Sequence, residues 1–467
     1  MENVSPAPQT FHVLICDAIG LKFNTKGTAD ISSVREYIEM KGGVFHLGHE
    51  TFAQDGNIHF HYLPQLSTEA QILPLTNQGQ FDAVIAAATF IPKDSIFNFG
   101  GVRIGAGTGN MGSASWGGGS GVGGIAPLMN TPSFNSRATA QMALKALFHF
   151  MPDLPFEELH RRVETGDFDT GEHLAQFPTQ KLEGKTIAIL GYGNIGREMA
   201  LLARGLGMTV KIFARSKHRQ WIESEGFVFS ESAEAAAQGA DFISVHTGLG
   251  MRDAETGKFA NEGLVSTSVF EAMNFGATLI NFDRGECVDA LALNDALRTG
   301  RVQFAAIDAD IFQNNDGTVS GPLKPYLQLA QKFGSRILLL PHAAADTCHT
   351  SRVDGAKQAV DQIYDCLRNK SVTNLKGDLP PGYTLNGSKT VLGIGKVSPL
   401  SVSNALDRYS EIARELKEMQ SSWKLLQDAL PDARAEKVKE LAPKLLLSIN
   451  RYTTLMRKLG LHGPFDE

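Results

Sequence analysis

Cysteine is scarce in this chain. The four residues, Cys16, Cys287, Cys348 and Cys366, form no C-x-x-C pair and no spacing suited to a metal ligand set. A disulfide-stapled scaffold and a cysteine-ligated metal centre are thereby excluded. The thiols are expected to be reduced and structural, as in a cytoplasmic protein with no metal site. No apolar run approaches the ~18 residues that span a bilayer, so no membrane partner is expected. The first residues, MENVSPAPQTFHVLICDAIG, lack a basic segment followed by a long apolar one, and read without a signal peptide. Excess charge of either sign is small, with net charge −6 and a pI near 6.1, which argues against a nucleic-acid surface. What is present, 42% hydrophobic and 20% charged residues, is the composition of a soluble globular protein. A length of 467 residues implies about two to four domains.

Glycine is abundant, and its placement is informative. In 185–200, KTIAILGYGNIGREMA, the apolar run Thr186 to Leu190 reads as a buried strand and Arg197 to Ala203 as a helix. Between them Gly191, Gly193 and Gly196 stand in G-x-G-x-x-G spacing. A dinucleotide site needs this order. The first glycine permits a tight turn, the second lets the backbone approach a pyrophosphate, and the third packs helix on strand; the helix N-terminus attracts the phosphate charge. A second glycine-rich stretch, residues 100–124, is too rich in glycine for a long helix. It reads either as a flexible surface loop or as backbone lying close to a ligand.

The organisation along the chain is α/β. HVLICDAI, GGVFHLG and FDAVIAAA are strand-like, and SSVREYIEMKGG is a helix ending in glycine. Residues 135–152 carry a helical apolar period that stops at Pro152. After the glycine loop, MTVKIFA, DFISVHT, ATLINF, FAAID and ILLLPH are strands alternating with helical stretches, the pattern of a doubly wound sheet. Residues 376–389 read as a linker. Beyond it, Tyr409, Ile412, Leu416, Met419, Trp423, Leu426 and Leu430 step by three and four, and Val438 to Leu459 form a second stripe with Pro443 as a kink. Between the stripes Pro431 breaks the pattern, so a helical hairpin is expected.

Arg284, in NFDRGECVD, and His342, in LLLPHAAADT, both follow strand ends, where ligands of open α/β sheets sit. A guanidinium grips a carboxylate with two parallel hydrogen bonds. A histidine exchanges a proton near neutral pH. Beside a nicotinamide ring these are the needs of 2-hydroxy acid oxidation. Singly, each has a plainer reading, as a surface ion-pair member and as a loop residue.

Together the segments resemble the D-isomer-specific 2-hydroxyacid dehydrogenase family. GYGNIG is similar to its cofactor loop, NFDRGECVD to its N-x-x-R-G-x-x-V-D segment, PHAAADT to its P-H-x-[AG]-x-x-T segment, and NTPSFNSRATAQ to its N-T-P-G-x-N-x-x-x-V-A-E segment. The resemblance covers about residues 10–375. It implies two doubly wound Rossmann-like domains with an active site in the cleft between them, usually in a dimer, with a C-terminal helical extension at 390–467. The substrate domain would comprise 1–138 and 346–380, the dinucleotide-binding domain 139–345. By resemblance Arg284 anchors the substrate carboxylate and His342 is the acid/base. The cofactor would meet Gly191, Tyr192, Gly193, Asn194, Ile195, Gly196, Ala214, Arg215, Ser216, His246, Thr247, Asp283 and Asp308, the last through the nicotinamide amide. Thr108, Gly109, Asn110 and Asn135 would lie near the substrate.

Several departures accompany the matches. Gly248 stands where the family's H-x-P-L loop has proline, and Gln141 where it has glutamate. The second strand ends in Ala214, Arg215, Ser216 and Lys217 rather than in the carboxylate that holds the ribose hydroxyls of NAD. Nothing there repels a 2′-phosphate, which favours NADP over NAD; the alternative is an arginine that only covers the adenine face. The family's histidine partner is a glutamate five residues beyond an aspartate. Counting from Asp308 that position is Gln313, and counting from Asp310 it is Asn315, an amide either way. Formate dehydrogenases of the superfamily also pair glutamine with histidine. A formate-dehydrogenase-like enzyme, and a cofactor-binding protein that recruits partners without catalysis, are therefore the two alternatives to a 2-hydroxyacid dehydrogenase.

Overall fold

The computed structural model describes residues 9–49, 52–117, 124–132, 134–313, 317–344, 348–386, 409–429 and 435–458. The chain divides into two compact units, one formed by Met1–Phe134 with Arg352–Glu467, the other by Asn135–Ser351.

In the first unit the strands β1 (Phe11–Ile15), β2 (Val44–His46), β3 (Ile58–Tyr62), β4 (Ala83–Ala86), β5 (Gly101–Arg103) and β6 (Leu128–Asn130) are joined by β17 (Leu375–Lys376). Their order is β17-β6-β5-β4-β1-β3-β2, parallel except for β17, which runs antiparallel to β6. A parallel sheet needs both faces covered, so its strands are apolar throughout. One face, with Val13, Phe60 and Ile85, lies under Val34 and Ile38 of the helix Ser32–Met40 and under Val360 and Ile363 of His349–Asn369. The other face, with Leu14 and Val84, packs on Phe81, Phe97 and Trp116. Full burial of each such side chain contributes about 1.5–3 kcal/mol.

Two expectations change here. The glycine-rich stretch is not all loop, because Gly101 lies in β5. A β-carbon there would fall 2.7 Å from the Trp116 ring, so glycine is set by packing against the indole. Residues 118–123 lie outside the described residues. The expected linker 376–389 likewise begins inside the sheet at β17, and β18 (Thr384–Leu385) pairs in parallel with β16 (Ser371–Val372). Ladder pairing uses main-chain groups, which a polar sequence supplies equally well.

The second unit is built on β7 (Thr186–Leu190), β8 (Thr209–Phe213), β9 (Val228–Ser230), β10 (Phe242–Val245), β11 (Ala277–Asn281), β12 (Val302–Asp308) and β15 (Ile337–Leu340). The order β15-β12-β11-β10-β7-β8-β9 is parallel throughout. A short antiparallel pair, β13 (Phe312–Gln313) with β14 (Val319–Ser320), follows β12. Chain order reverses between β7 and β10, the switch point where doubly wound sheets bind ligands. Leu190, Ile243, Val245, Leu279 and Ile307 are fully buried beneath it. The helix Ser136–His149 packs against Asn194–Gly205.

The C-terminal helices are Tyr409–Ala429 and Ala435–Lys458, packed on each other, and the second runs through Pro443. Leu441, Leu445 and Leu455 are buried as the apolar stripe requires, while Tyr409 and Trp423 of the first stripe are exposed. Arg451 ties the pair by reaching Glu418 at 2.6 Å. Leu430, Pro431 and Leu459 lie outside the described residues. Among the described residues no helix is long and apolar enough to cross a membrane.

Candidate active site

The glycine loop divides its labour by position. Gly191 has φ +101°, and a β-carbon on it would lie 2.2 Å from the His246 carbonyl oxygen. The switch point closes there, with backbone of the first strand's turn touching backbone beyond β10. At Gly196 a β-carbon would meet the Gly191 carbonyl oxygen at 2.1 Å, so the first turn of Asn194–Gly205 lies directly on the loop. At Gly193 nothing lies within 4 Å, which leaves an open backbone surface at the start of a 12-residue helix. The N–H groups of a helix N-terminus, with the positive end of the helix dipole, favour an anion. Two glycines packed shut and one open make a cradle that fits a dinucleotide pyrophosphate.

Neighbouring loop residues do different work. Asn194 and Ile195 open the helix and are half-buried. Tyr192 is buried, its ring edge-on to Trp221 and its hydroxyl bonded to Glu225, which also pairs with Arg197. Burial and Glu225 raise the Tyr192 hydroxyl above its usual range, so it stays a neutral donor. This side chain fastens the loop from below. His246 is also buried, with Nε2 2.8 Å from Ser244 Oγ and a pKa lowered by burial to about 3. The neutral ring packs behind the loop, and half-buried Thr247 follows it. Beyond β8, Ala214 is half-buried while Arg215, Ser216 and Lys217 are exposed; Arg215 Nη2 lies 3.1 Å from Nε2 of buried His218.

The remaining candidates cluster at the ends of β11, β12 and β15. Asn281 donates from Nδ2 to the Arg284 carbonyl at 2.9 Å, and Tyr326 Oη lies 2.6 Å from the Gly285 carbonyl. The arginine turn is therefore held on both sides. Arg284 Nη1 pairs with Asp310 Oδ2 at 3.3 Å. Asp283 accepts from the Gly248 N–H at 2.5 Å, a bond that proline at 248 could not provide. Burial raises the Asp283 carboxyl, opposed by that bond and by Arg284. At β15, His342 has φ +56°, and its Nδ1 lies 3.2 Å from the Asp308 carbonyl oxygen. The buried Asp308 carboxylate accepts from Ala343 N at 2.8 Å and Ala344 N at 3.2 Å. Since β12 lies between β11 and β15, Arg284 and His342 reach residues 308–310 from opposite sides.

Gln313 is not brought to this group. It is exposed in β13, and among the described residues no hydrogen bond joins it to His342. Both Asp308 carboxylate oxygens are engaged by the turn after β15, and Asp310 is the aspartate that meets Arg284. The count from Asp310 leads to Asn315, which lies outside the described residues. In the sequence Asp310 is only an alternative counting anchor and not a partner for Arg284, and Glu225 is not singled out. Only the alternation Asp308-Ala-Asp310 signals the first, and nothing local signals the second.

Thr108, Gly109 and Asn110 belong to the first unit. The Asn110 amide donates to the carbonyls of Ala87 at 3.0 Å and Thr89 at 2.8 Å, and Asp17 accepts from the N–H groups of the same two residues. Asn110 thus braces the loop after β4, while Thr108 and Gly109 form the turn before it. Asn135 precedes Ser136–His149 in the second unit, and its side-chain oxygen is buried with no hydrogen bond among the described residues.

Residues 154–344 match the profile of the D-isomer specific 2-hydroxyacid dehydrogenase, NAD binding domain. A glyoxylate reductase of Aeropyrum pernix is 31% identical over 255 residues, 53% of this chain and 68% of that one. An NAD+-bound 3-phosphoglycerate dehydrogenase of Entamoeba histolytica shares the fold with TM-score 0.53 at 17% identity, over 79% of this chain and 99% of that one. An NADPH-dependent glyoxylate/hydroxypyruvate reductase of Sinorhizobium meliloti does so with TM-score 0.51 at 18% identity, over 80% of this chain and 99% of that one.

Proposed function

We propose, for a chain that belongs to the D-isomer-specific 2-hydroxyacid dehydrogenase family and exchanges hydride between nicotinamide and a small 2-hydroxy or 2-oxo acid, that Arg284 and His342 are its reacting side chains. Their approach to the end of β12 from opposite sides carries the reading. A 2-oxo acid presents a carboxylate and an adjacent carbonyl, and these two side chains would meet them in that order. Arg284 holds the carboxylate with a planar fork that Asp310 keeps aligned. His342 gives its proton to the carbonyl oxygen in reduction and takes it back in oxidation. When bound, the nicotinamide supplies or accepts the hydride. Gly193, Asn194 and Ile195, at the start of Asn194–Gly205, would hold the cofactor's pyrophosphate.

The cofactor preferred is NADP. Arg215 and Lys217 stand exposed beyond β8, with no carboxylate in 214–217 to repel a 2′-phosphate. Four cysteines without disulfides among the described residues suit a reducing, cytoplasmic compartment. A homo-oligomer is included in the reading, and Trp423, Leu425, Leu446 and Leu447 of the hairpin are exposed apolar side chains available for contacts. The experiment is a panel of 2-oxo acids beginning with glyoxylate, each with NADPH and NADH, for the wild type and Arg284→Ala. Reduction by the wild type and its loss in the variant support the assignment. An active Arg284→Ala variant overturns it.

A further inference from the structure

Arg215 and Arg219, both beyond β8, are held in opposite ways. Arg219 is neutralised, with Nε 3.0 Å from Glu223 Oε1 and Nη1 2.9 Å from Glu231 Oε1. Among the described residues no carboxylate pairs with Arg215, and its Nη2 instead lies 3.1 Å from His218 Nε2. A guanidinium has only donors, so Nε2 accepts and the hydrogen of the ring sits on Nδ1. A neutral ring thus orients Arg215 without cancelling its charge, and the exposed fork keeps donors for an anion.

His218 can aim a surface side chain because it is itself anchored. It is buried, its backbone N–H donates to the Arg215 carbonyl at 2.9 Å across the short turn Ser216–His218, and its ring centre lies 6.0 Å from that of buried Trp221. Trp221 meets the Tyr192 ring edge-on at 5.0 Å, and the Arg197 guanidinium lies 5.6 Å from its ring centre. Glu225 binds both Tyr192 and Arg197. Tyr192 stands between Gly191 and Gly193, so one cluster backs both the glycine loop and the turn that carries Arg215.

We propose that His218 is a positioning residue for cofactor selectivity: as a neutral acceptor at Nε2 it fixes Arg215 so that the guanidinium presents its open side to the 2′-phosphate of NADP. The inference rests on the reading of Arg215 as the partner of that phosphate. A long side chain loses rotamer freedom when it engages a ligand, and one already oriented loses less. The advantage reaches only a ligand that carries the phosphate. NADH, with a hydroxyl in its place, gains nothing from it. A carboxylate would orient Arg215 too, but would cancel its charge, as Glu223 and Glu231 do at Arg219.

His218→Phe, His218→Gln, Arg215→Ala and the double variant of His218→Phe with Arg215→Ala test this in the full chain. Each is titrated with NADPH and with NADH in the absence of substrate, followed by cofactor fluorescence. Phenylalanine keeps a ring beside Trp221 and removes the acceptor, whereas glutamine keeps an acceptor. His218→Phe is expected to weaken NADPH about 5-fold and NADH less than about 2-fold, the retained NADH affinity reporting a folded site. His218→Gln should hold NADPH more tightly than His218→Phe does. In the double variant the NADPH loss should exceed that of Arg215→Ala by less than about 2-fold, because His218 acts through Arg215. A ring that only fills the core would weaken both cofactors together, and its effect would persist when Arg215 is gone. Either result overturns the proposal, as does wild-type NADPH affinity in His218→Phe. Equal weakening of the two cofactors by Arg215→Ala alone overturns instead the reading of Arg215, and the positioning role falls with it.

Discussion

The carbonyl oxygen of His246 occupies the place a side chain would need at Gly191: a β-carbon on Gly191 would lie 2.2 Å from it. With φ at +101°, the same position is closed to other residues by backbone conformation as well. Gly191→Ala is therefore expected to destabilise the second unit by about 2 kcal/mol or more, seen as a lower thermal midpoint without cofactor. Gly193→Ala makes the contrast. Nothing lies within 4 Å of its β-position, so the midpoint should stay near wild type while cofactor affinity drops. Equal midpoints for the two variants would contradict this division of roles.

Arg284→Ala is expected to lower kcat/KM by about 100-fold or more, near 3 kcal/mol, because a substrate carboxylate loses a charged partner at the transition state. Arg284→Lys should recover little, since a single ammonium cannot make the paired contact. Steady-state kinetics on glyoxylate decide it, and lysine performing like arginine would count against bidentate binding.

Arg215→Ala should weaken NADPH binding about 10-fold while leaving NADH within about 2-fold, since only the 2′-phosphate loses its counter-charge. Titration of each reduced cofactor by fluorescence measures both constants. A parallel loss for the two would place Arg215 over the adenine ring instead.

Acid should weaken the first unit through a histidine cluster on one face of its sheet. His12 Nδ1 lies 3.0 Å from His61 Nε2, and His46 Nε2 lies 2.9 Å from His59 Nδ1, with Asp55 beyond His59 and Asp82 at the His12 backbone. Burial lowers the pKa of His12 and His46, and that of His61 to about 4. An unfolded chain, whose histidines titrate near 6.5, then binds protons before the folded one does. The stability is complete above about pH 6.5 and is lost as pH falls toward 4. His61 alone accounts for on the order of 3 kcal/mol of it. Denaturant melts between pH 7 and pH 4.5 should show the decline, and His61→Gln, which keeps hydrogen-bonding capacity but does not titrate, should flatten it. A wild-type curve without slope across that range would rule the mechanism out.

The second unit was legible in outline. Its apolar runs ending at Leu190, Phe213, Val245, Asn281, Asp308 and Leu340 are parallel strands, the central ones buried, and such strands announce themselves by continuous hydrophobicity. The first unit was less so. Ile58–Tyr62 carries His59 and His61, and Leu128–Asn130 is three residues long, so neither shows an apolar run of useful length. The ladder and the histidine contacts that hold them join positions far apart in sequence.

Sequence by itself determined the glycine spacing, the strand alternation, and the presence of Arg284 and His342 just past strand ends, because periodicity and turn chemistry are local. Which carboxylate meets Arg284 and which meets the turn after His342 was decided only by tertiary structure. Asp308 faces the turn after β15 and Asp310 faces Arg284, although a single residue separates them, because the chain leaves the sheet at Asp308 and no longer alternates as a strand. Gln313, five residues beyond Asp308, lies exposed in β13 for the same reason. Spacing along a chain measures distance only while the backbone repeats, and at this site it stops repeating.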